Sequence, residues 1–175
     1  MSTALRGESG ELQLPKLTEP ENFTCVIIST RWNAEIVDKL EEGAVKTLLE
    51  CGVPEKNIVR LKVPGAVELT YAAAYATNMY YPSAIITLGC VIRGDTPHFD
   101  YVCMSATQGI TSLNVNGDVP VIFGVLTVDN LTQAQERAGG ILGNKGAEAA
   151  VAAIEMEQMK DNVQASLHSH PFLQE

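Results

Sequence analysis

Four apolar runs organise the chain, and each is followed by a segment whose hydrophobic residues change period. "SAIITLGCVI" (83–92) and "VPVIFGVLTV" (119–128) are apolar almost throughout, the pattern of parallel strands covered on both faces. "FTCVIIST" (23–30) is a third continuous, β-rich run. "NIVRLKV" (57–63) alternates instead, with Val59, Leu61 and Val63 on one face and Arg60 and Lys62 on the other, which suits a half-exposed strand at a sheet edge.

Helical spacing fills the intervals. Asn33 is placed as N-cap of a helix carrying Ile36, Val37, Leu40, Ala44 and Leu48, and Gly52 ends it. "VPG" turns the chain into an Ala-rich helix from about Ala66 to Met79. Phe99, Val102, Ala106, Ile110 and Leu113 mark a third helix starting near Pro97. Asn130 and Gln133 stand in capping-box positions before a short helix that stops at Gly139 and Gly140. Asn144 caps the last helix, whose buried face is Ala147, Ala150, Val151 and Ile154. Strand and helix alternate at short loop lengths, which predicts an α/β fold with a four-stranded parallel sheet between helical layers. Residues 1–22, polar and carrying Pro15 and Pro20, read as an N-terminal extension, 23–160 as one domain, and 161–175 as a tail without periodicity.

Composition narrows the function classes. A net charge of −9 argues against a nucleic-acid or anionic-membrane partner, because both need clustered Lys and Arg. Cys25, Cys51, Cys90 and Cys103 are scattered without a C-x-x-C pair, so they read as small buried hydrophobes in a reducing compartment. With three histidines, two of them in the tail as His168 and His170, the sequence offers no metal constellation. The first residues lack the basic-then-apolar order of a signal peptide, and no stretch reaches the ~18 apolar residues of a membrane span. These features predict a soluble cytoplasmic protein.

In an open parallel sheet the ligand sits beyond the carboxyl ends of the strands. That rule selects Trp32, residues 64–68, residues 90–98 and residues 127–130. Thr96 and Pro97 read as N-cap and first helical position, which puts His98 in the first turn of a helix. The free N–H groups of that turn, with Gly94, suit a phosphate. The dipole there works against an imidazolium and a bound anion works for it, the setting of a proton shuttle. Trp32 could stack on a heteroaromatic substrate, Glu68 could accept hydrogen bonds from one, and Arg137 and Lys145 flank a Gly-rich turn. Taken singly, each also fits a plain structural or surface role.

Taken together, "STRWN", "VPGAVEL", "LGCVIRGDTPHFDYV", "VIFGVLTVDNLTQAQERAG" and "GNKGAEAA" resemble, in order and spacing, the motifs of the 6,7-dimethyl-8-ribityllumazine synthase family, from about Val26 to Met156. The resemblance implies a flavodoxin-like α/β/α fold. It also implies condensation of 5-amino-6-(D-ribitylamino)uracil with (S)-3,4-dihydroxy-2-butanone 4-phosphate, releasing phosphate and water without a cofactor. By motif position His98 resembles the proton-transfer histidine and Trp32 the aromatic that stacks on the pyrimidine. Ala66, Val67 and Glu68 match the stretch holding the ribityl chain, and Cys90, Val91 and Ile92 the stretch along the uracil ring. Asp95 and Thr96 match the phosphate turn, Arg137 the arginine that pairs with phosphate, and Lys145 the nearby lysine. Phe123 matches an aromatic supplied by a neighbouring subunit, so the site is expected between protomers. Cys90 departs from the small hydroxyl residue common there, and Asp95 puts a carboxylate beside the phosphate turn, whose backbone N–H is expected to bind while its side chain points away. Family members form pentamers, and the short turn between Arg137 and Lys145 favours a sixty-subunit shell, with riboflavin synthase as a possible associate. Two alternatives stand beside it: an archaeal-type riboflavin synthase, which would consume lumazine, and a non-catalytic shell or carrier binding flavin or lumazine, which would leave the joint presence of Glu68, His98, Arg137 and Lys145 without a chemical reason.

Overall fold

A computed structural model describes residues 12–169. The chain runs β1 (Cys25–Thr30), α1 (Ala34–Glu50), β2 (Ile58–Val63), α2 (Glu68–Tyr80), β3 (Ala84–Ile92), α3 (His98–Asn116), β4 (Val121–Val128), α4 (Leu131–Arg137), a small antiparallel pair β5 (Ala138–Gly140) and β6 (Gly143–Asn144), and α5 (Lys145–Ser169). The main sheet is four-stranded and parallel in the order β2-β1-β3-β4, as the sequence predicts. β2, the alternating strand, is indeed at an edge.

The pleat sorts the core into two layers. Cys25 and Ile27 of β1, with Ile86 and Leu88 of β3, pack against α1 and α5, together with Leu40, Leu48, Ala150 and Ile154. Val26 and Ile28, with Ile85 and Val125, face α2 and α3 through Leu69, Ala73, Ala106 and Ile110. Alternate residues of one strand thus serve opposite helical layers, and burial of both faces is why these strands read as unbroken apolar runs. α1 and α5 approach so closely that a Cβ at Gly146 would run into the Leu40 carbonyl.

Three local expectations shift. Asn144 caps α5 as predicted, its Oδ1 accepting from the N–H of Gly146 at 2.8 Å and of Ala147 at 3.1 Å. The helix it starts, however, does not end at Asp161: it continues to Ser169, its polar residues from Asp161 to Gln164 lying exposed. Asn33 does not cap α1; it sits in the left-handed region at φ 57° and makes no capping bond. α3 begins at His98 with Pro97 as the flanking residue, and Thr96 contributes no cap. Within the expected N-terminal extension, Leu17 packs against the α1/α5 side of the core, and the Lys16 carbonyl accepts from Gln158. Residues 1–11 of that extension, and the tail from His170 onward, lie outside the described residues.

Candidate active site

Between β1 and β3 the strand order changes direction, so the loops after these strands diverge to opposite sides and leave a crevice at their carboxyl ends. A cavity of about 230 Å³ occupies it. Its walls come from three stretches distant in sequence: Thr30 at the end of β1 with Trp32 and Asn33 after it; Ala66 after β2; and the run from Cys90, Val91 and Ile92 at the end of β3 through Gly94 and Thr96 to His98, Phe99 and Val102 of α3.

Backbone contacts fix each wall. The Trp32 N–H donates to the Pro64 carbonyl at 3.3 Å, and the indole lies so near Gly65 that a Cβ there would stand 3.0 Å from the ring. A side chain at Gly65 would press on the indole and shift the ring. The Gly65 N–H in turn donates to Glu68 Oε2 at 3.0 Å. Glu68 is thus the first residue of α2, and it reaches back to fix the turn that carries Ala66. Trp32 remains two-thirds exposed (66%), leaving a ring face open to a planar partner. Val67 and Glu68 are exposed and do not line the cavity.

The floor is the end of β3. Cys90 is buried, and burial pushes its thiol up to about 11, so it lines the cleft as a neutral small group. Arg93 then anchors the turn. Its N–H donates to the Val128 carbonyl at 2.8 Å, its guanidinium lies 4.1 Å from the Phe99 ring centre, and it pairs with Asp100 and Asp129 at 3.2 Å each. These contacts tie Gly94 to Pro97 between β4 and α3. This anchoring role of Arg93 has no local signature in the sequence, because its partners lie on two other segments. Asp95 is exposed in this turn and does not line the cavity, whereas Thr96 does. At its end stands His98, exposed on the cavity wall as the first residue of α3. Helix geometry leaves the first N–H groups of α3 without intrahelical acceptors, so an anion can bind beside the imidazole.

Three residues singled out in the sequence lie elsewhere. Phe123 pairs in register with Thr87, three positions before the Leu126 that faces Cys90, so it sits roughly 10 Å down the strand and packs on the α2/α3 side. Arg137 ends α4, its Nη1 donating to the Gln133 carbonyl at 2.9 Å. Lys145 opens α5 and is buried, its ammonium donating to both oxygens of Glu148 at 2.8 and 2.7 Å. The resemblance groups this lysine with the phosphate ligands; in the folded chain its charge is matched by an equally buried carboxylate.

The family described as 6,7-dimethyl-8-ribityllumazine synthase matches residues 22–161. A 6,7-dimethyl-8-ribityllumazine synthase of Porphyromonas gingivalis is 58% identical over 130 residues, which is 74% of this chain and 81% of the relative. Those of Phocaeicola vulgatus and Parabacteroides distasonis are 45% and 49% identical over 164 and 156 residues, covering 94% and 89% of this chain and 97% of each relative. A cleft at the switch point with a histidine at a helix start, and a match over nearly the whole domain, place the chain in the 6,7-dimethyl-8-ribityllumazine synthase family, the transferases that make the lumazine precursor of riboflavin.

Proposed function

We propose that the crevice between β1 and β3 is where 5-amino-6-(D-ribitylamino)uracil condenses with (S)-3,4-dihydroxy-2-butanone 4-phosphate, giving 6,7-dimethyl-8-ribityllumazine, phosphate and water. The observation that carries this reading is the convergence of Trp32, Ala66, Cys90 to Ile92, Thr96 and His98 on one cavity. The pyrimidine stacks on Trp32 and runs its polar edge along the backbone of Cys90 to Ile92, while Ala66 and the turn held by Glu68 receive the ribityl chain. The phosphate binds the turn at Asp95 and Thr96, with the Asp95 side chain turned outward. His98 then stands between the two substrates and moves protons during imine formation, phosphate loss and ring closure. No step requires a redox change, so the chemistry is proton transfer and positioning.

Phe123, Arg137 and Lys145 do not line the cleft of their own chain, and we assign Phe123 and Arg137 to the cleft of a neighbouring copy. Lys145, held by Glu148, fixes the start of α5 beside the turn that presents Arg137. Support for self-association comes from α2 and α3, which leave Tyr71, Tyr75, Met79, Tyr101 and Met104 exposed, large apolar side chains that a partner copy would cover. The proposed assembly is a homopentamer, twelve of which close a shell. Light scattering is expected to give a sixty-subunit mass; a species of pentamer mass contradicts the shell. Among the described residues no helix is long and apolar enough to cross a membrane, and we assign the enzyme to the cytoplasm, where its product can pass to an associated riboflavin synthase.

Arg137→Ala separates the two substrates. The Michaelis constant for the butanone phosphate is expected to rise by roughly one to two orders of magnitude, as a lost charge-assisted pair predicts, with that for the aminouracil little changed. Unchanged constants for both would remove Arg137 from the phosphate subsite.

A further inference from the structure

Asn33 behaves as no helix cap should. It is in the left-handed region at φ 57° and ψ 42°, makes no capping bond, and sends its side chain away from its own helix. Its Nδ2 donates instead to the Cys90 carbonyl at 2.8 Å, across the crevice and 57 residues on. A non-glycine residue held in that region costs free energy and persists where the surroundings require it.

The strand registers show what the bond does. The β1/β3 ladder stops at Ser29 opposite Leu88, whereas β3 stays paired with β4 as far as Ile92 opposite Val128. Cys90 and the residues after it therefore extend beyond β1 with one edge uncovered. In a strand the N–H and C=O of one residue point to the same side and those of the next residue to the other. Arg93 donates to the Val128 carbonyl, so odd-numbered positions face β4, and the polar groups of Cys90 and Ile92 face the gap. Asn33 takes the first open carbonyl in place of a next β1 residue, and Ile92 becomes the first backbone group left for a ligand. The same residue is the immediate neighbour of Trp32, which places the stacking ring and the open strand edge at opposite ends of one hydrogen bond.

We propose that Asn33 is a positioning residue for the pyrimidine: by bridging β1 to the Cys90 carbonyl it sets the distance between the Trp32 ring and the open edge at Ile92. The proposal rests on the reading that the aminouracil occupies this crevice.

Two variants of the full chain test it. Asn33→Gly accepts the left-handed backbone without strain and removes only the amide; Asn33→Asp keeps the shape and the tolerance of that region but faces the Cys90 carbonyl with an acceptor. Each is expected to raise the Michaelis constant for the aminouracil roughly tenfold, the size of one well-placed hydrogen bond, and to leave that for the butanone phosphate within about twofold. Trp32 is the sole tryptophan, so its emission reads the binding directly. Titration with the aminouracil is expected to need roughly tenfold more ligand in both variants, with thermal midpoints close to wild type. An unchanged titration, or losses for both substrates in step with a fallen midpoint, overturns the positioning role. If the wild-type protein forms no lumazine, the functional reading fails, whereas the emission titration still decides Asn33. Wild-type emission unmoved by the aminouracil overturns both.

Discussion

Replacing His98 with alanine is expected to slow lumazine formation by roughly 10²–10⁴-fold, the contribution of one well-placed general acid–base group. The position makes this group hard to replace. His98 is the first residue of α3, it lines the cavity, and Cys90, its neighbour across the floor, keeps its thiol protonated through burial and cannot take over the proton. The loss should fall on kcat, since the turn from Gly94 to Pro97 is held by Arg93 and stays in place without the imidazole. Steady-state rates with both substrates saturating check this. The reduction is smaller where the substrate amine and water share the transfers, and a variant with the full rate would take His98 out of the mechanism.

Glu148→Ala is expected to be strongly destabilising although it lies away from the cleft. The Lys145 and Glu148 side chains are only 10% and 7% exposed, so the carboxylate holds a buried ammonium that has little access to water. Removing one partner of such a pair typically costs about 3–5 kcal/mol, because an uncompensated charge is left behind. In a chain of this size that lowers the thermal midpoint by roughly 6–20 °C at fixed protein concentration. The double variant Lys145→Met with Glu148→Leu should recover much of the loss, because an apolar pair of similar volume avoids burying charge at all. Differential scanning calorimetry on the two variants decides it: if Glu148→Ala melts like the wild type, the pair is not a structural clamp at the start of α5.

Legibility in the sequence follows the range over which each interaction acts. The central strands are apparent because both faces are covered, which forces residues such as Ile85 and Ile86 to be apolar regardless of parity. Edge strand β2 is apparent for the opposite reason, since Arg60 and Lys62 mark its open face. Asn130 keeps its local capping partner, the Gln133 N–H at 3.0 Å. Asn33 likewise precedes a helix, but its side chain serves Cys90, and no capping rule can register a partner 57 positions away. The end of α5 was hidden because Asp161 to Gln164 are solvent-exposed and give no buried stripe to count. Within the candidate site, Trp32, Ala66, Cys90, Thr96 and His98 converge as their strand-end positions imply. Phe123 and Arg137 are picked out by motif alone: neither lines the cavity of its own chain, and only the resemblance, not periodicity or spacing, points to a site shared between copies.

The most direct test of the account is to mix the purified protein with 5-amino-6-(D-ribitylamino)uracil and (S)-3,4-dihydroxy-2-butanone 4-phosphate and follow lumazine absorbance and inorganic phosphate together. Both are expected to appear at one rate, in equal amounts, without added metal or cofactor. Absence of lumazine, or phosphate released without it, would contradict the assignment of this crevice to lumazine formation.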